Sequence, residues 1–269
     1  TSIVDRLFEP RPITKEDLQI NIKSQDFEKI EELEPMGFGV SKGYKEGIPD
    51  AATSEIRQIA IPRSIFETEK FTKSVREIEV STIAFMQIIE ENLVKDIGDA
   101  KDRDFFALQT AALDYLASIG KTHRITYPGA FDLKAILALK TKLTDPKGRP
   151  YKSGKLLMNI NTLNQLAGND VLEIGVAMKD KVVVEGMTQA TLLGMPLETT
   201  SKTDIVPDGK VYLYAYTDEN NYYFFKNWLY KDISFITSTK DRYLTFWADL
   251  EQFVAVTNGY AVAELTVTP

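Results

Sequence analysis

A long amphipathic stretch between residues 82 and 118 constrains this 269-residue chain more than any other feature of its sequence. Apolar side chains recur there at intervals of three and four residues, the spacing of one face of an α-helix. They are Phe85, Ile88, Ile89, Leu93, Phe105, Leu108, Ala112, Leu113 and Leu116. The pattern predicts one long helix with Leu93 and Leu113 on its buried face, bent or interrupted at Gly98 and ended at Gly120.

Two shorter helices and a strand are predicted in the middle of the chain. The first helix covers residues 131–143, where apolar residues again share one face. Residues 155–160 predict a buried strand, and Asn161 can cap a second helix that Gly168 ends.

The last third of the chain is rich in predicted strands. Residues 211–217 and 222–230 predict a hairpin across the polar segment 218–221. Three tyrosines alternate with apolar residues in the first of these strands and predict the aromatic face of a half-buried sheet. They are Tyr212, Tyr214 and Tyr216. A helical centre followed by a strand-rich end indicates a mixed α+β fold.

The N-terminal 35 residues are predicted to form an arm. Pro10 and Pro12 break its start, and Pro35 ends it. Between them, three apolar residues at helical spacing predict a helical stretch. They are Phe27, Ile30 and Leu33.

Residues 36–62 are punctuated by glycine and proline and contain few large apolar side chains. The segment is long for a structureless connection inside a compact domain. Two interpretations stay open here, a plain flexible loop and an element that contacts a partner. Residues 55–82 favour extended chain, because apolar residues alternate there with charged ones.

The composition excludes several classes of site. The chain has no cysteine, which excludes disulfides, thiolate metal sites and cysteine nucleophiles. Its net charge is −7, and it contains no dense run of lysine and arginine. We therefore expect any contact with DNA to be weak and independent of base sequence. No apolar run is long enough to predict a membrane span.

The search for catalytic motifs finds none that fits. Residues 120–122 (GKT) and 148–155 lack the spacing of a phosphate-binding loop, and residues 37–43 lack that of a dinucleotide-binding loop. The only histidine, His123, is predicted to be exposed in a surface loop. We therefore predict no catalytic, cofactor-binding or metal-binding residues, no cofactor and no enzymatic activity.

Two further clusters have simpler interpretations than chemistry. Carboxylates can bind hard cations, but three aspartates at residues 99–104 alternate with Lys101 and Arg103 and predict a solvated or intersubunit face. They are Asp99, Asp102 and Asp104. Aromatic and basic residues at 224–232 can stack on nucleic-acid bases, but core packing on a sheet explains them better.

The order of these parts resembles that of the Hong Kong 97-type major capsid proteins of tailed bacteriophages. The more specific stretches are residues 155–170, 184–216 and 253–267. Five residues match the family's pattern of turns between hydrophobic strands. They are Leu193, Gly194, Pro196, Pro207 and Gly209. The chain departs from the pattern at residues 257–260, where the family frequently has basic residues and a proline.

This resemblance implies a domain order. It implies an N-terminal arm (1–35), an extended intersubunit loop (36–62), a peripheral domain with a spine helix (63–130, helix 82–118), and an axial domain (131–269). Some strands of the axial segment would return to the peripheral domain.

The resemblance also implies a function. The chain would be a structural subunit of an icosahedral phage head, which self-assembles into hexamers and pentamers around double-stranded DNA. It would be assembled in the host cytoplasm and located in the virion. Scaffolding, portal and decoration proteins are further partners that the resemblance allows, and it implies no membrane partner.

Two alternatives stay open. The first is the shell of an encapsulin-type nanocompartment, which shares the fold and binds cargo proteins inside. The second is a soluble α+β enzyme with an unidentified site, whose sign would be polar residues that converge in a pocket.

Overall fold

A computed structural model describes residues 2–12, 27–34, 55–80, 85–129, 131–145, 148–168, 191–216, 224–256 and 258–268. The helices are α1 (Ile3–Leu7), α2 (Val75–Val80), α3 (Phe85–Ser118), α4 (Leu133–Lys142) and α5 (Ile160–Gly168), and a 3-10 turn lies at Gly259–Ala261. The strands are β1 (Arg11–Pro12), β2 (Phe27–Glu34), β3 (Glu55–Glu67), β4 (Phe71–Ser74), β5 (Arg124–Pro128), β6 (Ser153–Asn159), β7 (Thr191–Leu192), β8 (Met195–Thr200), β9 (Lys210–Ala215), β10 (Phe225–Lys240), β11 (Tyr243–Val256) and β12 (Val262–Thr268). The mixture confirms the α+β prediction.

The predicted long helix is confirmed as α3. A bend or an interruption was predicted at Gly98. The helix is not interrupted there, because it runs from Phe85 to Ser118. Gly120 has a φ of 75°, and its N–H donates to the carbonyl of Ala117 at 3.0 Å. The N–H of Lys121 donates to the carbonyl of Leu116 at 2.9 Å, which completes a Schellman motif. Gly120 therefore ends the helix, as predicted.

We expect Gly98→Ala to stabilise the protein by up to about 1 kcal/mol, because glycine inside a helix is less favourable than alanine by that amount. A Cβ at this position would meet the backbone of Ser2 at 3.7 Å, an ordinary contact distance. Gly154→Ala is expected to destabilise the protein, because the added Cβ would lie 2.8 Å from the backbone of Tyr216. Urea unfolding of both variants tests this, and a destabilising Gly98→Ala would place Ser2 closer to α3 than the structure does.

The strands form two six-stranded sheets. The first, called the hairpin sheet here, has the order β1-β10-β11-β3-β2, with β4 also paired to β11. Its centre is the long hairpin of β10 and β11, joined by Asp241 and Arg242. Both turn residues have positive φ, as a type I′ turn requires. The second, called the central sheet, has the order β5-β12-β9-β6-β8-β7.

The hairpin predicted between residues 211–217 and 222–230 is wrong. Strand β9 pairs with β6 and β12 in the central sheet, whereas β10 pairs with β1 and β11 in the hairpin sheet. Strand β9 is also buried on both faces, since Tyr212 and Tyr214 are as inaccessible as their apolar neighbours. A short polar segment between two strands indicates a hairpin from local sequence alone. The pairing of β9 and β10 depends instead on the strands against which each is buried, and these lie elsewhere in the chain.

Helix α3 joins the two sheets. Leu93 lies in a cluster with Phe246, Ala248 and Leu250 of β11, on the hairpin sheet. Leu113 lies in the larger core cluster, together with residues of the central sheet. Both leucines are buried, as predicted. A helix of this length spans on the order of 50 Å, enough to reach across both sheets.

Three predicted local features differ in the structure. Residues 27–34 form strand β2, so the helix predicted from the spacing of Phe27, Ile30 and Leu33 is wrong. Residues 75–80 form helix α2, where extended chain was predicted. Helix α5 begins at Ile160, and its cap is Asn159, two residues before the predicted cap Asn161, because Asn159 Oδ1 accepts the N–H of Thr162 at 2.7 Å.

Strands β2 and β3 form a two-stranded ribbon that leaves the hairpin sheet. Residues 55–62 of β3 pair with residues 27–34 of β2 in continuous antiparallel register. Only residues 63–67 of β3 pair with β11. Of the segment predicted as loop 36–62, residues 55–62 are therefore strand, and residues 36–54 lie outside the described part of the chain.

Candidate functional site

The aspartate cluster on α3 is organised around a buried carboxylate. Asp102 has no exposed surface. It accepts hydrogen bonds from Ser2 Oγ at 2.7 Å, from the backbone N–H of Val4 at 3.0 Å and from Lys202 Nζ at 2.6 Å. Lys202 also reaches Asp99 at 2.6 Å. The prediction of a solvated or intersubunit face is therefore wrong for Asp102, which lies inside the subunit.

The cations beside these aspartates differ sharply in exposure. Lys101 is buried and pairs with Asp5 at 2.6 Å. Arg103 points outward and pairs with Asp204 at 3.5 Å, where both side chains are exposed. Burial raises the pKa of Asp104 above its ordinary value. The Lys101–Asp5 pair neutralises charge inside the fold, which suits a structural role.

Lys202 carries the positive charge of this network. Burial lowers its pKa, but the hydrogen bonds and negative charges of Asp102 and Asp99 outweigh burial and raise that pKa above its ordinary value. The ammonium therefore stays protonated at neutral pH and is unsuited to act as a nucleophile or a general base.

The lone histidine is buried, and the prediction of an exposed side chain is wrong. His123 is 4% exposed. Its Nδ1 lies 3.0 Å from the carbonyl of Val262, and its ring packs edge-on against Tyr260. Burial lowers the pKa of His123, and the charge of Lys142 lowers it further, against an opposing effect of the hydrogen bond to Val262. The ring connects the end of α3 to β12 and is placed for packing.

We expect the free energy of unfolding to fall as the pH is lowered from 7.5 to 5.5. The folded state holds His123 with a lowered pKa, so the unfolded chain binds a proton first, near its ordinary pKa of 6.5. Protonation therefore favours unfolding, and stability rises with pH across this window. Urea unfolding at several pH values measures the slope, and His123→Gln is expected to flatten it. An unchanged slope in that variant would assign the pH dependence to other groups.

The glycine-containing segments form no phosphate cradle within the described residues. Residues 120–122 follow a helix, and the N–H of Gly120 is already used to close that helix. In the segment 148–155, Lys155 Nζ donates to the carbonyls of Arg6 and Leu7. Residues 37–43 lie outside the described part of the chain.

Three of the four aromatic residues of segment 224–232 are buried, namely Phe224, Phe225 and Trp228, whereas Tyr230 is 43% exposed. Phe224 and Phe225 belong to the main core cluster. Core packing is therefore confirmed for these two residues, and it is not the role of Tyr230. Nearby, the hydroxyl of Tyr214 donates to Gln109 Oε1 at 2.7 Å, and burial raises the pKa of Tyr214 well above its ordinary value.

No described residues assemble the donor set of a metal site, which would need three histidine, aspartate or glutamate side chains together. Across the same residues, no helix has the length and apolar character needed to cross a bilayer. The absence of a cofactor and of catalytic residues stays a prediction.

The features that stand out are surfaces. The β2–β3 ribbon extends over eight residue pairs, about 26 Å at the usual rise of a strand. Beyond Leu229, β10 pairs along only one edge among the described strands. Several large apolar side chains on the hairpin sheet, on α3 and directly after α3 are more than two-fifths exposed. They include Ile65, Ile88, Tyr115, Ile119, Phe235 and Tyr243.

Comparison with solved structures decides the fold. A chain of Microbacterium phage Oxtober96 matches with a TM-score of 0.67 at 12% identity, over 99% of this chain and 91% of that one. The capsid structure of Cyanophage P-SCSP1u matches with a TM-score of 0.62 at 10% identity, over 100% of this chain and 88% of that one. The chain has the fold of a phage capsid protein.

An encapsulin has the same fold. The holo-SrpI encapsulin complex of Synechococcus elongatus matches with a TM-score of 0.56 at 14% identity, over 98% of this chain and 86% of that one. No family model matches the sequence, and no curated protein does.

In this capsid-protein fold, three of the five residues that carry the resemblance lie in turns, namely Leu193, Gly194 and Gly209. Leu193 and Gly194, both with positive φ, join β7 to β8. Pro196 lies in β8 itself, so it follows the turn instead of forming it. Gly209 has a φ of 78°, and a Cβ there would lie 3.0 Å from the carbonyl oxygen of Val267. The motif therefore records backbone geometry, which explains why it contains no reactive groups.

Sequence reasoning missed the network around Asp102. One signal was present, because Asp99 and Asp102 are three residues apart and share a helix face. Their partners Ser2 and Lys202 lie about a hundred residues away along the chain, at distances no sequence spacing indicates.

Proposed function

We propose that this chain is a structural, non-enzymatic subunit of an icosahedral phage head. In this proposal it self-assembles into hexamers and pentamers and encloses double-stranded DNA. The observation that carries the proposal is the β2–β3 ribbon on a capsid-protein fold. Among the described strands, β2 pairs only with β3.

A ribbon of two strands needs a further surface to pack against. An isolated pair of strands is at best marginally stable in water and needs a third strand or a packed face. The surface of a neighbouring subunit would supply that face. Residues 36–54, which the ribbon flanks, would be carried to the same neighbour.

The change of pairing partner along β3 supports the proposed domain order. Its residues up to Pro62 pair with β2, and those from Arg63 onward pair with β11. This is where the proposed intersubunit loop (36–62) meets the proposed peripheral domain (63–130). The proposed axial domain (131–269) contributes β6–β9 and β12 to the central sheet, and its strands β10 and β11 lie in the hairpin sheet.

The charge of the chain suits a container for DNA. A net charge of −7 limits adhesion to a packaged polyanion, so the inner surface would enclose DNA without binding its sequence. The location proposed is the virion, after assembly in the host cytoplasm. Scaffolding, portal and decoration proteins are proposed as further partners.

Electron microscopy of the purified protein tests the proposal most directly. We expect hollow shells, or isolated five- and six-fold rings, and nuclease-resistant double-stranded DNA in particles taken from infected cells. A monodisperse 30.3 kDa monomer at every salt and protein concentration would contradict the proposal.

A loop replacement tests separately the role of residues 35–54, which connect the two strands of the ribbon. Glu34 and Glu55 are a facing pair at the end of the ribbon, so residues 35–54 can be replaced by Asn-Gly, which closes a two-residue hairpin. We expect this variant to keep its melting temperature as an isolated subunit and to fail to close normal shells. Normal shells from the variant would show that the loop is dispensable for assembly.

An encapsulin-type shell is the second candidate, favoured by the match to the encapsulin over nearly the whole chain. Both candidates predict closed shells, so the contents distinguish them. Double-stranded DNA inside native particles supports the phage head. A co-purified enzyme carrying a terminal targeting peptide supports the nanocompartment.

A further inference from the structure

The N-terminal segment, defined here as residues 2–12, is held like a bound peptide. Ile3, Val4 and Leu7 are at most 5% exposed and lie in the main core cluster. Phe8 packs against four aromatic rings with centroid distances between 5.4 and 5.9 Å. They are Phe105, Tyr214, Phe224 and Phe225. The segment thus inserts a row of apolar anchors into a groove.

Polar contacts fix the backbone of the segment as well as its side chains. Asp102 accepts the N–H of Val4, and Lys155 donates to the carbonyls of Arg6 and Leu7 at 2.7 and 3.0 Å. Because these contacts are made to the peptide backbone, they hold the segment in its conformation whatever side chains it carries.

Two side chains of the segment meet opposite charges. Asp5 pairs with the buried Lys101 at 2.6 Å. Arg6 donates to Glu198 at 3.4 Å and to the carbonyl of Thr199 at 2.9 Å. The groove therefore distinguishes an acidic residue from a basic one at two adjacent positions.

All of these groove residues come from residue 101 onward in the chain. They lie on α3, on β6, β8 and β9 of the central sheet, and at the start of β10 in the hairpin sheet, where β1 also pairs in parallel at Trp228 and Leu229. The segment reaches strand β2 only through the fourteen residues 13–26, which can span up to about 50 Å. No described residue from 27 to 97 is needed to build the groove.

We propose that this groove is a peptide-binding site for a short amphipathic peptide with apolar residues at positions 3, 4, 7 and 8, and that its resident ligand is the chain's own N-terminal segment. The groove holds that ligand without needing the covalent connection through residues 13–26. Because the ligand contacts α3 and both sheets, its occupancy couples the two sheets. This site is independent of whether the chain builds a phage head or a nanocompartment.

The test uses the full chain with a site-specific protease sequence inserted between residues 13 and 26. After cleavage, we expect the N-terminal fragment to stay bound through size-exclusion chromatography. A fluorescein-labelled peptide of residues 2–12 should then exchange into the cut protein, as measured by fluorescence anisotropy at temperatures up to just below unfolding. Isolated subunits are used, so the result does not depend on assembly.

Peptide variants show whether the contacts above account for binding. Leu7→Asp should weaken the peptide more than about 100-fold, because it places a charge in an apolar site. Glu9→Gln is the matched control, since Glu9 is exposed, and should bind as the original peptide does. In the cut protein, Lys155→Met should weaken binding about tenfold or more through the loss of its two hydrogen bonds to the peptide backbone.

Three results would overturn the proposal. They are unfolding of the cut protein, failure of the labelled peptide to exchange even within about ten degrees of the unfolding temperature, and equal binding of the Leu7→Asp peptide. Native mass spectrometry of the uncut protein identifies the resident ligand. Monomers support the chain's own segment, and dimers that dissociate on cleavage would assign the groove to the segment of a second copy.

Discussion

Asp102→Ala is expected to lower the free energy of unfolding by about 3 kcal/mol, the lower end of the range for breaking a buried ion pair by removing one partner. Asp102 is fully buried and accepts three hydrogen bonds. Its removal leaves the N–H of Val4 and the hydroxyl of Ser2 without that acceptor. Lys202 is about one-quarter exposed, so water can replace part of its lost interaction, which places the effect at the lower end.

The neighbouring position provides a matched control. Arg103 lies on the same helix and pairs with Asp204, but both side chains are exposed by more than three-fifths. Exposed ion pairs contribute little, so Arg103→Ala should change the free energy of unfolding by no more than about 0.5 kcal/mol. Urea denaturation followed by circular dichroism measures both variants. Equal effects would show that Asp102 is solvated in the folded protein, as its sequence context predicts.

The helical centre of the fold was predictable because it depends on local spacing. The periodicity of α3 repeats over many turns, so the buried positions Leu93 and Leu113 follow from residue spacing alone. Its end was predictable as well, because Gly120 supplies the positive φ that a helix end of this kind uses. Both signals lie within a few residues of the feature they predict.

Features set by distant partners were not predictable in this way. Strand β2 has apolar residues at helical spacing, yet its pairing with β3, across residues 35–54, makes it a strand. The pairing of β10 with β11 in place of β9 is another case. Strand propensity depends strongly on the neighbours that a strand acquires, which a single sequence does not display.

Buried polar groups were mispredicted for a related reason. Aspartate is mostly exposed in folded proteins and histidine is intermediate, so neither residue type by itself indicates a buried position for Asp102 or His123. In the structure each finds its partner on a segment far away in sequence, Val262 for the histidine and Ser2 and Lys202 for the aspartate. Once those partners satisfy their polar atoms, burial is no longer unfavourable.

The proposed function is also one that motif searches are badly suited to find. A shell subunit acts through the shape and stability of its surfaces, and no set of reactive side chains is required. The capsid-protein fold was predictable from the order of elements and from turn residues such as Gly194 and Gly209. The ribbon, its change of partner at residue 62 and the groove for the N-terminal segment required coordinates.

Leu113→Ala is expected to lower the free energy of unfolding by about 2–5 kcal/mol, the usual cost of truncating a fully buried leucine. Leu113 has no exposed surface and lies where α3 meets the main core cluster. The loss combines the transfer free energy of the removed carbons with the cost of the cavity that they leave. The cavity persists because the densely packed residues around it shift only slightly. Thermal and urea unfolding of the isolated subunit measure it.

Leu137→Ala is the control for this substitution. Leu137 is also a helical leucine, on α4, but it is 52% exposed, so the same chemical change removes little buried area. Helix propensity contributes little to either variant, because leucine and alanine are both good helix formers. We expect the free energy of unfolding of Leu137→Ala to change by less than about 1 kcal/mol. If Leu113→Ala behaves the same way, the phase of α3 is wrong, and the groove built on the same helix would have to be redrawn with it.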